Sequence, residues 1–118
     1  MNKTKEELNG TRVSILGSIY TFIVLDNDEE LEKENAFGLC NSYMKTISIS
    51  SHLFEEENKC TINQIIRHEL IHAFLFESGL DANTFIEGGW ADNEEMVDWM
   101  AIQYPKIKRV FSTLEIED

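Results

Sequence analysis

The sequence predicts an α+β fold in a single domain spanning residues 1–118, and three observations carry the prediction. Before residue 50, β-branched and aromatic residues crowd into short runs, several of them alternating with polar ones. A long apolar pattern of helical period opens near residue 61, and a second helical pattern follows the Gly88-Gly89 pair. With 118 residues, 42% of them hydrophobic, the chain is large enough for one core and too small for two.

Residues 1–10 are polar up to Gly10 and read as a loose or short helical arm. From Thr11 to Leu25 the apolar residues divide at Gly17-Ser18 into two strands, near 12–16 and 19–25, joined by a tight turn. Val13 and Ile15 alternate with Arg12 and Ser14, the pattern of a half-exposed strand. Residues 26–35 form a charge run that reads as a solvated loop or a short exposed helix. Two further strands, near 36–41 and 45–50, flank an Asn41-Ser42 turn, and Ile47 and Ile49 give the second a clean alternation. The four strands make a small, mostly antiparallel sheet.

The first long helix is expected over 61–78, with Thr61 as N-cap, Gln64 at the capping-box position and Ser78-Gly79 as the end. Its apolar residues surround most of the circumference, which predicts a central helix buried against the sheet. A loop pivoting on Gly88-Gly89 leads to a second helix over 93–104, capped by Asn93 or Asp92 and stopped by Pro105. A short helix over 106–114 follows, with Ile107, Val110, Phe111 and Leu114 on one side.

Within the first long helix lies His68-Glu69-Leu70-Ile71-His72. Residues four apart share a helix face, so His68 and His72 can present two imidazoles to one ion, with Glu69 beside them to hold a water and take its proton. Three polar groups inside an apolar helix cost several kcal/mol unless they are paired, and a metal ion with its water satisfies all three. The following helix supplies the rest. Glu94 and Asp98 lie one turn apart, and Val97 and Ala101 continue their face with side chains small enough for close approach. Glu94 is the expected third ligand, Asp98 the acceptor for a ligand imidazole N–H, and Glu95, about 100° further round, the fallback ligand. A donor for a developing oxyanion is not assigned; Tyr43, Tyr104, His52 and Arg67 are the available side chains.

With 22 acidic against 10 basic residues the formal charge is −12, which argues against nucleic acid or an anionic membrane as partner. The chain has no apolar run of membrane-spanning length and no signal-peptide pattern after Met1, so a cytoplasmic location is expected. Cys40 and Cys60 lack C-x-x-C spacing and read as free, small buried residues.

His68-Glu69-x-x-His72 followed by Glu94-x-x-x-Asp98 resembles the gluzincin pattern, and the run from Glu94 to Ala101 is similar to the ImmA/IrrE-type metallopeptidases. Arg67 to Leu80 together with Val97 to Lys106 resembles, more closely, small zincin-like proteins of phages and prophages. The resemblance covers 61–111 well and 36–50 loosely. It implies a minimal zincin-like fold, one Zn2+ ion and hydrolysis of a peptide bond in a protein or peptide substrate. Trp99-Met100 departs from the ImmA/IrrE pattern and no helix-turn-helix accompanies the motif, so the substrate does not carry over. A sheet edge at Lys45–Ser50 is expected to hold an extended substrate by strand addition. The alternative is a non-catalytic acidic binding module that retains a structural or vestigial zinc site.

Overall fold

The computed structural model describes residues 4–26, 31, 36–82, 85 and 87–118. The order is a short helix α1 (Lys5–Leu8), strands β1 (Arg12–Ile15), β2 (Ser18–Leu25), β3 (Gly38–Asn41) and β4 (Thr46–Ser50), a single turn α2 (Leu53–Glu56), and the helix α3 (Lys59–Glu77). A 3-10 turn at Trp90–Asp92 then leads into α4 (Glu94–Thr113). Most of the expected charge run at 26–35 lies outside the described residues.

The four strands form one sheet in the order β1-β2-β4-β3. β1 pairs antiparallel with β2, and β3 with β4, while β2 and β4 run parallel from Thr21↔Thr46 to Leu25↔Ser50. Two antiparallel pairings out of three bear out a mostly antiparallel sheet, but the order corrects the expected edge. The long connection after β2 carries the chain past the position beside it; β3 takes the rim, and the hairpin returns β4 into the gap. Lys45–Ser50 is therefore interior, and among the described strands β3 is the sheet edge next to α3.

Alternation does what it should in the two central strands. Tyr20 and Phe22 on β2, and Ile47 and Ile49 on β4, are buried on the face that packs against Leu53 and Ala73. Full burial of either isoleucine is worth about 2–3 kcal/mol of transfer free energy. α3 lies across this face and touches β3 at the rim.

Two helix boundaries differ from expectation for identifiable reasons. α3 starts at Lys59 because Asn58, a better cap than Thr61, accepts the Thr61 N–H at 3.0 Å. Cys60 thereby falls in an exposed first turn and is not buried. Pro105 does not stop α4, which runs through it and fuses the expected helices 93–104 and 106–114. A proline leaves the carbonyl four residues earlier without its helical donor. Here that carbonyl, on Ala101, accepts the Arg67 Nε–H at 2.9 Å, so the helix continues and is tied to α3 at the same point. Nor is α3 buried all round: Glu69, His72 and Ala73 are its buried residues, and Phe74 is exposed. No helix among the described residues is long and apolar enough to cross a membrane.

Candidate metal centre

Glu69, His72, Ala73 and Phe76 recur at helical spacing along the face of α3 that meets the sheet, so the polar groups of the motif are pressed inward. Glu69 is 7% exposed and His72 6%. Each has a specific partner that makes its burial tolerable.

For Glu69 the partner is the rim of the sheet, where the Cys40 backbone N–H donates to its carboxylate. Gly38 makes the approach possible. A Cβ at that position would stand 3.0 Å from the Glu69 Cγ and 3.1 Å from its Oε2, tighter than side chains normally pack. Burial, then the charge of Glu94, pushes the Glu69 carboxyl up to about 7, with the Cys40 N–H acting the other way. Burial likewise pushes the neighbouring Cys40 thiol up to about 12, with the charge of Glu69 adding to it, so this cysteine is a poor nucleophile at neutral pH.

For His72 the partner is the Ala91 carbonyl, 2.5 Å from Nδ1. A carbonyl only accepts, so Nδ1 carries the hydrogen and Nε2 is the ring atom turned toward the site. Ala91 is itself placed by its N–H to the Leu80 carbonyl, at 3.1 Å, and by Gly89. Gly89 has a φ of 79°, and a Cβ there would meet the backbone oxygens of Leu80 and Asp81 at 2.6 Å.

Glu94 opens α4, whose first turn is capped by Asn93 through the Met96 N–H at 2.9 Å. Its two oxygens reach both rings: Oε1 is 2.6 Å from the Nε2 of His72 and Oε2 is 3.2 Å from the Nε2 of His68. The two Nε2 atoms are 3.2 Å apart. Val97 and Ala101, both fully buried, let α4 come this close. Asp98 places Oδ1 3.4 Å from the Nδ1 of His68, at ion-pair distance on the side of the ring away from Glu94. Glu95 is exposed and stands outside this group.

Ligand atoms of His68, His72 and Glu94 all lie within 4.8 Å of one another. Two donors bonded at 2.0–2.1 Å to a tetrahedral ion stand roughly 3.3 Å apart, and the Nε2–Nε2 and the His68 Nε2–Glu94 Oε2 separations, 3.2 Å each, are close to this. Two imidazole nitrogens and a carboxylate facing one point can share a single cation. The donor set, two imidazoles and one carboxylate, suits zinc with a position left open. The residues present therefore fit the ion expected from the sequence.

Beside the site a cleft of about 360 Å³ runs along α3 under β3, with Gly38, Leu39, Cys40, Phe76 and Asp92 contributing to its walls. None of the side chains considered for an oxyanion donor is on this wall. Arg67 is committed to Ala101, Tyr43 is exposed in the β3–β4 turn, Tyr104 faces the opposite side of α3, and His52 lies 3.6 Å from Glu55. Sequence reasoning missed the roles of Gly38, the Cys40 N–H and the Ala91 carbonyl. A glycine inside a strand was the one available signal for the first; the other two are backbone groups that no side chain announces.

A family model described as the SprT-like family matches residues 25–85, which include His68, Glu69 and His72 and end before Glu94 and Asp98. No curated protein and no solved structure matches the chain. SprT-like domains are related to zincin-like metallopeptidases and are associated with zinc, which agrees with the ligand geometry above. With the match extending over just over half of its length, the chain belongs to the SprT-like family.

Proposed function

We propose that this chain is a zinc-dependent peptidase, residues 1–118 acting as one zincin-like domain on a protein or peptide substrate. The observation that carries the reading is the convergence of the His68 and His72 Nε2 atoms and the Glu94 carboxylate on one point. Zinc held there supplies a Lewis acid and brings the pKa of a water down toward ~7.

Glu69 acts as general base and then general acid, taking a proton from the attacking water and passing it to the leaving amine. Its place suits both duties, because it is buried beside the two imidazoles and lines the cleft where a substrate would lie. The Ala91 carbonyl fixes the ring of His72, Asp98 steadies that of His68, and the edge strand β3, beside the Cys40 N–H that Glu69 takes, borders the cleft where an extended substrate would lie. The resemblance of Arg67–Leu80 and Val97–Lys106 to small phage and prophage proteins supports a place beside them.

The test is digestion of a complex peptide mixture by the zinc-loaded chain and by Glu69→Gln, with new termini read by mass spectrometry. The proposal expects new termini from the native chain and a loss of at least ~100-fold in the variant at unchanged zinc content. Identical termini from both proteins, or none from either, would transfer the site to a non-catalytic role.

A further inference from the structure

We propose that the outer flank of α4 is a self-association surface, and that its occupant is a second copy of this chain paired antiparallel across a two-fold axis at Ile102. One row of the helix forms this surface. Glu95, Asp98, Ile102, Lys106 and Arg109 follow one another at steps of three or four residues, so they line a single strip of surface. The strip lies to the side of Val97 and Ala101, the residues that face α3.

Its charges are arranged as a palindrome of opposite sign. Acids occupy the first half, Glu95 and Asp98, and bases the second, Lys106 and Arg109, at equal distances on either side of Ile102. In an antiparallel helix pair related by a two-fold axis, like flanks face each other. Glu95 then meets Arg109 of the partner subunit, Asp98 meets Lys106 of the partner subunit, and each contact occurs twice. A parallel pairing would set acid against acid and base against base.

Three further observations favour a second copy. Trp99 at 57%, Ile102 at 38% and Val110 at 57% leave apolar area exposed along the same strip. Among the described residues, Glu95, Lys106 and Arg109 have no ion-pair partner within their own chain. The chain as a whole carries −12, yet residues 99–114 contain three cations and no acid, so the feature is a local layout and does not reflect composition.

The experiment is sedimentation equilibrium of the whole chain, with circular dichroism confirming that each variant is folded; all the substituted side chains are exposed. The native protein is expected to dimerise. Glu95→Lys alone and Arg109→Glu alone each reverse two contacts and should weaken the dimer by about tenfold or more. The double variant Glu95→Lys with Arg109→Glu restores opposite charges across the axis and should recover dimerisation to within a few-fold of the native chain. A native chain that stays monomeric, a dimer indifferent to both single changes, or a double variant no better than the singles would each overturn the proposal.

Discussion

The two sides of α3 are built in opposite ways. Toward the sheet it buries a carboxylate and an imidazole, Glu69 and His72, each matched to a backbone partner, the Cys40 N–H and the Ala91 carbonyl. On the opposite side Ile71, Phe74 and Leu75, with Met100 and Tyr104 of α4, line an open apolar depression of about 510 Å³. An ordinary amphipathic helix has its polar residues outside. α3 departs from this at Glu69 and His72, which are embedded in the apolar stripe of Ile62, Ile65, Ile66, Leu70 and Ala73 that packs on the sheet core, so specific polar ties add to apolar burial in locating it. Arg67 ties it to Ala101, and at its far end Glu77 accepts from Ser18 Oγ, Tyr20 OH and Lys45 Nζ. Burial of functional groups is then a cost that these ties offset.

The contrast breaks most sharply at Gly38. Gly38→Val pushes a branched side chain into the Glu69 carboxylate, and a loss of about 1–3 kcal/mol in urea unfolding is expected, together with a large fall in peptide cleavage. Unchanged activity in this variant would mean that the position of Glu69 against β3 is unimportant.

Next in size is the tie between the two helices. Arg67→Ala strands the Ala101 carbonyl in a partly buried position and should cost about 1–3 kcal/mol. Pro105→Ala restores a backbone donor to that carbonyl, so the double variant should be clearly less destabilised than additivity requires. Simple additivity in the thermal or urea midpoints would rule out the shared carbonyl as the link.

The Glu77 cluster adds a pH signature. The hydrogen bond from Lys45, then those from Ser18 and Tyr20, holds the Glu77 carboxyl down at about 2, below an unfolded value of about 4.3. A carboxyl depressed in the folded state binds fewer protons folded than unfolded. Its stabilisation is therefore complete above about pH 4.3 and is lost as pH falls toward 2. Glu77→Gln should lower stability near neutral pH by about 1–2 kcal/mol and flatten the acid limb of the stability curve. An unaltered acid limb would show that other carboxylates govern it.

The smallest effect belongs to the open side of α3. Phe74→Ser removes a half-exposed ring and should cost about 1 kcal/mol of stability and leave cleavage unchanged. A large loss there would erase the distinction between the two sides.

Much of this was legible in the chain. The alternation at Val13/Ile15 and Ile47/Ile49, the spacing of His68 and His72, and the shared face of Glu94, Val97, Asp98 and Ala101 are local patterns, and local patterns translate directly into direction. What escaped was non-local. Strand order depends on where the β3–β4 hairpin docks, which no residue within it encodes, so sequence pattern alone does not place β3 at the rim. Pro105 is a helix stop by propensity, overruled by Arg67, nearly forty residues away in sequence. The apolar circumference of α3 reads as full burial when the partners for each side are unknown. Glu94 could be placed beside the two imidazoles from the sequence because Glu94 and Asp98 repeat on one helical face; the backbone groups that hold Glu69 and His72 leave no such trace.

The central claim is that one ion joins α3 to α4 through His68, His72 and Glu94. Zinc K-edge X-ray absorption of the chain loaded with one equivalent of zinc tests it most directly. The account predicts nitrogen and oxygen donors alone, near 2.0–2.1 Å, with the scattering signature of two imidazoles. A sulfur ligand at about 2.3 Å from Cys40 or Cys60, or fewer than two imidazoles, would contradict it.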